Sequence, residues 1–169
     1  KNSTGKNLPL IINPHGGPAS RDVWGYNSEH QFLASRGYAV LSMNFRGSLG
    51  YGRKHVKMAN GQWGRKMQDD VTDSVNWAVN QGIADPDNVC IYGASYGGYA
   101  VMAGITKTPD LYKCAVNYVG VTDMGLLFSK MPKVWEIWEE QQKVEIGDYE
   151  NDKEYLDAGA KILSQSSQI

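Results

Sequence analysis

Four short apolar runs alternate along the chain with longer stretches whose apolar positions recur at helical spacing. Each run is rich in β-branched or aromatic residues and ends at a turn residue, which is typical of buried parallel strands. The runs occupy residues 8–13, 38–45, 88–92 and 114–121. The intervening helices are predicted at residues 27–36, 67–81 and 96–107. This repetition predicts an α/β fold with a mostly parallel sheet flanked by helices.

The clearest helical pattern covers residues 67–81 and stops at Gly82. Asp69 and Asp70 fall in its first turn, where negative charge is favourable for the helix dipole. Its apolar side chains share one face, at Met67, Val71, Val75, Ala78 and Val79. Beyond residue 126 the composition is mostly helical and no further apolar strand follows, so the predicted sheet has four strands.

Composition excludes several classes of binding partner and site. The 169 residues suffice for one ordinary domain. With 17 basic and 18 acidic residues the net charge is −1, which argues against a nucleic acid or an acidic membrane surface as partner. No apolar run approaches the roughly 18 to 20 residues that a membrane helix needs. Two cysteines are too few for a disulfide scaffold or a cysteine-rich zinc site, and we predict no metal or cofactor.

The sharpest local signal is the segment from Gly93 to Gly97, which reads Gly-Ala-Ser-Tyr-Gly. It fits G-x-S-x-G directly after a predicted strand and directly before a predicted helix, the context of a nucleophile elbow. Ser95 would then sit on a sharp turn with its hydroxyl above the sheet edge. The backbone N–H of Tyr96 would donate to an oxyanion near the positive end of the helix. The alternative is a glycine-rich turn without chemistry.

A second glycine loop, His15-Gly16-Gly17-Pro18, follows the first predicted strand. Such a loop can supply another backbone N–H, from Gly16 or Gly17, to the same oxyanion. Glycine allows the backbone to approach a substrate carbonyl closely. We expect His15 to order this loop rather than to act as a general base. An ordinary Gly-Pro turn is the alternative, and the downstream elbow favours the functional interpretation.

A third segment, residues 44–52, reads N-F-R-G-S-L-G-Y-G and is more specific than G-x-S-x-G. Together with residues 13–18 and 93–99, it makes the chain resemble the catalytic domain of the prolyl oligopeptidase family of serine peptidases. The resemblance covers about residues 8 to 125, and the HGGP segment is most similar to the acylaminoacyl-peptidase and dipeptidyl-peptidase branches. It implies an α/β-hydrolase fold, with Ser95 attacking the carbonyl of a short peptide.

That fold orders its triad as serine, acid and then histidine. All three histidines of this chain, His15, His30 and His55, precede Ser95. We therefore expect residues 1–169 to form a single partial catalytic domain that lacks the triad aspartate, the triad histidine and the β-propeller of the family. The isolated chain would then be inactive, and its partner would be the remainder of a longer protein.

Other residues of the chain are weak candidates for the roles of the triad histidine and aspartate. A base role for His15 or His55 requires hydrogen-bond reach to Ser95, about 3 Å, and is disfavoured. Asp123 ends the fourth apolar run, whereas the family takes its acid from a later strand. Further aspartates lie in a polar stretch that indicates a solvated surface, at Asp148, Asp152 and Asp157.

Other residues carry narrower expectations. Trp135 and Trp138 fall where the family has a helical excursion that lines the substrate pocket, and their spacing places them on one helix face. Core packing is an equal alternative for both. We expect Arg46 to order its loop by pairing with a carboxylate. Cys90 and Cys114 lie on neighbouring predicted strands and are interpreted as two buried thiols.

A nucleotide-binding protein is excluded, because no G-x-G-x-x-G follows the first strand and no P-loop lysine is present. A carboxylesterase-like hydrolase and a non-catalytic binding module with a hydrolase fold both stay open. The sequence is compatible with a homo-oligomer, and it leaves the cellular compartment open.

Overall fold

The computed structural model describes residues 5–147, with Glu136 by its backbone only. Four strands form one sheet: β1 (Leu8–Pro14), β2 (Ala39–Met43), β3 (Ala84–Ala94) and β4 (Cys114–Tyr118). Their order across the sheet is β2-β1-β3-β4, and every pair is parallel. The predicted α/β architecture is confirmed. Because all strands run the same way, their carboxyl ends, and the loops that follow them, meet at one edge of the sheet.

Six α-helices accompany the sheet in the described range. They are α1 (Ser28–Ala34), α2 (Arg53–Lys57), α3 (Lys66–Asn80), α4 (Tyr96–Lys107), α5 (Met124–Ser129) and α6 (Glu139–Ile146). Short 3₁₀ helices occupy Pro109–Leu111 and Lys133–Trp138. The sequence did not predict α2, since its five residues include only one apolar side chain and therefore show no periodicity.

The core is divided into two neighbouring clusters. In the first, α3 presents Val71, Val75 and Ala78 of its predicted apolar face to β1 and β3, and these side chains are at most 1% exposed. Met67, the first residue of that face, is equally buried but belongs to the second cluster. Val79 lies at the margin of this face and is only partly buried. The second cluster surrounds Phe45, Trp63 and Tyr96, and it lies beneath the loops that follow the strands.

The fourth strand differs from its prediction in length and burial. It ends at Tyr118 rather than at residue 121, and all five of its residues are exposed. Within residues 5–147, β3 is the one strand that pairs with it, so it lies at one end of the described sheet. The short apolar run indicated a strand correctly, but the burial of the strand depends on which elements cover it, and sequence pattern does not reveal that.

The interpretation of the two cysteines as buried thiols was wrong. Cys90 on β3 and Cys114 on β4 are paired partners in the parallel register, with Cα atoms 4.7 Å apart, and they form a disulfide. That separation lies within the range of disulfide geometry. Neighbouring strands were predicted, but the register that makes the two cysteines partners follows from long-range pairing, and local sequence does not encode it.

Candidate active site

The loop around Ser95 adopts the predicted strand-to-helix turn. β3 ends at Ala94 and α4 begins at Tyr96, so Ser95 alone connects them. Its backbone angles are φ 58° and ψ −121°, a sparsely populated conformation for a residue with a side chain. The Ser95 backbone N–H donates to the Tyr118 carbonyl at 3.1 Å, and the residue is exposed. Backbone strain and solvent exposure at one serine are features of a nucleophile elbow.

Two glycines allow this turn to pack. A Cβ atom on Gly93 would collide with the Gly97 carbonyl, and one on Gly97 would collide with the Pro14 carbonyl at the end of β1. Any larger residue at either position would therefore push the helix away from the strands. The glycine spacing of the motif is needed for this close approach.

The second glycine loop lies beside Ser95. A Cβ atom on Gly16 would lie 3.2 Å from the Ala94 carbonyl oxygen and 4.0 Å from Ser95 Oγ. Gly17, the next residue of this loop, has φ 128°, which favours glycine, and a cis peptide bond joins it to Pro18. The structure thus brings the Gly16 backbone beside the Ser95 hydroxyl, as the two sequence motifs suggested.

His15 is bonded within its own loop region rather than to Ser95. Its Nδ1 donates to the Gly16 carbonyl at 2.8 Å, and in that tautomer its Nε2 accepts from the fully buried Ser48 hydroxyl at 2.9 Å. The ring stacks on Phe45 with centroids 4.3 Å apart, and Phe45 contacts the Tyr96 ring at 5.3 Å. His15 therefore orders the loop, as the sequence suggested.

The N-F-R-G-S segment is held by charged and amide groups. Asp70 on α3 accepts three hydrogen bonds from Arg46: one from the backbone N–H at 2.9 Å, one from Nε at 2.8 Å and one from Nη2 at 2.6 Å. This pairing raises the pKa of Arg46 above its usual value and confirms the expected carboxylate partner. Asn44 bonds both the N–H and the carbonyl of Asp22, which connects this segment to the loop after Pro18.

A polar network that connects β1, β3 and α1 was not predicted. Asn13 Nδ2 donates to the Tyr92 carbonyl at 2.7 Å, and Asn13 Oδ1 accepts from His30 Nε2 at 2.9 Å. The Tyr92 hydroxyl donates to Glu29 at 2.7 Å, and this bond, with some burial, raises the pKa of Tyr92. The network anchors α1 to β1 and β3. Local sequence does not predict it, because the residues that it joins are far apart in the chain.

The remaining base and acid candidates have other partners. His55 Nε2 lies 3.1 Å from the Phe45 carbonyl, and Asp123 caps α5 by accepting from the Leu126 N–H at 2.7 Å. His15 and His30 are also bonded to other groups, as described above. Each of the three histidines therefore has a ring nitrogen bonded to a group other than Ser95. Asp148, Asp152 and Asp157 lie outside the described residues.

Trp135 and Trp138 both lie in the 3₁₀ helix before α6 and are 45% and 53% exposed. Neither belongs to the two core clusters of the described range. Among residues 5–147, no helix has the length and apolar character needed to cross a membrane. In that same part of the chain, no group of three or more His, Cys, Asp or Glu residues could hold a metal ion.

Known proteins share this architecture. Dipeptidyl aminopeptidase BIII of Pseudoxanthomonas mexicana is 46% identical over 162 residues, which are 96% of this chain and 23% of that protein. The acylamino-acid-releasing enzyme of Arabidopsis thaliana is 35% identical over 71% of this chain and 17% of its own. The structure of a puromycin-hydrolyzing peptidase of Mycobacterium tuberculosis matches with a TM-score of 0.85 at 29% identity, covering 94% of this chain and 24% of that one. The chain thus spans less than a quarter of each.

The structural match identifies the parallel sheet and its helices as a partial α/β-hydrolase fold. The sequence model of the prolyl oligopeptidase family matches residues 24–164, a range that includes Ser95, Trp135 and Trp138. The resemblance drawn from three short motifs is therefore confirmed over most of the sequence. This chain belongs to the prolyl oligopeptidase family.

Proposed function

We propose that the longer protein containing this chain is a serine peptidase that cleaves short peptides through an acyl-enzyme on Ser95. The observation that carries the proposal is the meeting of two loops, with the Gly16 backbone beside an exposed serine hydroxyl on a strained turn. The names of the relatives, a dipeptidyl aminopeptidase and an acylamino-acid-releasing enzyme, support short peptides as the substrate class.

In the proposed reaction, Ser95 Oγ attacks the scissile carbonyl and a histidine base takes its proton. The carbonyl oxygen becomes an oxyanion, which accepts from the Tyr96 backbone N–H and from that of Gly16 or Gly17. Tyr96 is the first residue of α4, a position whose N–H is not needed for intrahelical bonding, and the helix dipole is positive there. The histidine then gives its proton to the leaving nitrogen, and collapse of the tetrahedral intermediate releases the amine and leaves the acyl group on Ser95. Water, deprotonated by the same base, hydrolyses the acyl-enzyme and restores the serine hydroxyl.

We propose that the base and its orienting acid come from outside residues 1–169, in a longer protein whose β-propeller is also outside this range. Two observations support this. His15, His30 and His55 are held by other partners, and this chain covers only 23% of the length of the matched dipeptidyl aminopeptidase. An oxyanion site without a base retains only a small part of triad catalysis. The isolated chain is therefore expected to hydrolyse peptides far more slowly than the full-length protein.

The substrate class is tested by comparing how fast the full-length protein hydrolyses peptide amides and simple esters. We expect kcat/KM for aminoacyl and N-acylated dipeptide amides to exceed the value for simple alkyl esters of similar size, after each is corrected for its uncatalysed rate. A preference for the esters would favour a carboxylesterase instead. Hydrolysis of neither class by the folded protein would favour a binding module.

The two exposed tryptophans are proposed to contact an apolar side chain of the substrate. Changing both Trp135→Ala and Trp138→Ala in the full-length protein is expected to lower kcat/KM for peptides with a large apolar residue by about tenfold, mainly through KM. Trp77→Ala is the matched control, because Trp77 on α3 is exposed by 53%, the same fraction as Trp138. If the control lowered kcat/KM as much as the double variant, Trp135 and Trp138 would not be part of the substrate site.

A further inference from the structure

The loop that follows β2 holds the His15 ring from two directions. Phe45 stacks on the face of the imidazole, with ring centroids 4.3 Å apart, and the Ser48 hydroxyl donates to its Nε2 at 2.9 Å. Phe45 and Ser48 are both buried within the described residues, so neither contact depends on what the rest of a longer protein covers. Two residues three positions apart in one short loop therefore set the orientation of this ring.

His15 in turn holds the second glycine loop beside the serine. Its Nδ1 donates to the Gly16 carbonyl at 2.8 Å, and the Gly16 backbone lies beside the Ser95 hydroxyl. The carbonyl and the following N–H of a trans peptide point in opposite directions, so this bond also fixes the direction of the Gly17 N–H. A displaced imidazole would therefore move an N–H group that is proposed to stabilise the oxyanion.

Arg46 lies between Phe45 and Ser48 in the chain and is fixed to α3 by one carboxylate. Asp70 accepts from the Arg46 backbone N–H as well as from Nε and Nη2, so it holds the main chain and the guanidinium together. Val71, the next residue of α3, is fully packed in the core, which anchors the carboxylate. A displacement of Asp70 would therefore move the loop backbone directly after Phe45 and two residues before Ser48.

We propose that Asp70 is a positioning residue for oxyanion stabilisation. Through Arg46 it fixes the loop after β2, and that loop fixes the His15 ring and the glycine loop bonded to it. The inference rests on the proposed function, because the oxyanion forms only when Ser95 attacks a carbonyl. Asp70 itself touches neither substrate nor Ser95 and acts only through these contacts.

The test compares Asp70→Asn with Asp69→Asn in the full-length protein. Asparagine keeps the shape of the side chain but loses its charge and one acceptor oxygen, so its bonds to Arg46 weaken. We expect Asp70→Asn to lower kcat for peptide hydrolysis by about tenfold or more with little change in KM, since the oxyanion is present only in the transition state. Asp69→Asn is the matched control and should keep the wild-type kcat, because Asp69 bonds Lys107 Nζ at 2.7 Å instead.

Counting competent sites separates positioning from a general loss of stability. The value of kcat is calculated per Ser95 that a fluorophosphonate labels at completion, so unfolded protein does not lower it. An unchanged kcat for Asp70→Asn on this basis would overturn the proposal even if the Tm falls, and so would an equal loss in Asp69→Asn. A wild-type protein that hydrolyses no peptide and is not labelled at Ser95 would instead overturn the proposed function, and this inference with it.

Arg46→Met tests the same contact from its other side, and it decides the question if Asp70→Asn does not fold. Methionine removes the guanidinium bonds and keeps the backbone N–H, so we expect a smaller loss in kcat, about threefold. When both changes are combined, the loss should be smaller than the product of the two separate losses, because they weaken one shared interaction. A wild-type kcat in Arg46→Met, or losses that multiply in full, would overturn the proposal.

Discussion

Changing Ser95→Ala in the full-length protein is expected to reduce kcat for peptide hydrolysis by about 10⁴-fold or more. The methyl group cannot form the acyl-enzyme, so only binding and oxyanion stabilisation remain. KM should change little, because the substitution removes one oxygen from an exposed position and leaves the turn intact. The measurement is a steady-state comparison of wild-type and variant protein, with folding verified by circular dichroism.

A suitable control is Ser35→Ala. Ser35 is an exposed serine whose hydroxyl donates to the Phe32 carbonyl at the end of α1. We expect this variant to keep wild-type kcat. If Ser95→Ala retained more than about a tenth of the wild-type kcat, a covalent role for Ser95 would be untenable.

The largest effect on stability is expected from Phe45→Ala. Phe45 is 1% exposed and joins the His15 ring to the Tyr96 ring. Its truncation leaves a cavity beneath the loops that contain Gly16 and Tyr96 and should lower the free energy of unfolding by about 3–5 kcal/mol. Since the same rings support Gly16 and Tyr96, labelling of Ser95 by a fluorophosphonate should also slow. Calorimetry of the full-length protein measures the stability change as a lower Tm.

Phe32→Ala provides the comparison for the same chemical change at an exposed site. Phe32 is 54% exposed on α1, and its main partner is the Arg36 guanidinium lying over the ring. An exposed cation–π contact contributes about 0.5–1 kcal/mol, so we expect a small change in Tm and none in labelling. A Phe45→Ala variant no less stable than Phe32→Ala would contradict the role of Phe45 in the second core cluster.

Sequence pattern identified the features that depend on residues close together in the chain. The apolar face of α3 follows from helical periodicity, and all but its marginal Val79 are buried as predicted. The strand–Ser95–helix turn also follows from local spacing, because Gly93 and Gly97 lie two residues on either side of Ser95. These features could be predicted because the physical causes, periodicity and close backbone approach, are encoded within a few residues.

Features that join distant segments could not be predicted in the same way. The Cys90–Cys114 bond requires the register between β3 and β4, and the Arg46 partner could be named only as a carboxylate until the fold placed Asp70 beside it. The contact of Gly16 with Ser95 was inferred from the combination of two motifs, since nearly 80 residues separate them. The exposure of β4 depends on the elements that cover it.

The most direct test of the central claim is to locate the covalent adduct formed by a fluorophosphonate on the full-length protein. Digestion and mass spectrometry of the labelled protein should place the adduct on Ser95, and the Ser95→Ala variant should carry none. An adduct on a different serine, or an unlabelled Ser95 in folded protein that hydrolyses peptides, would show that this hydroxyl is not the nucleophile.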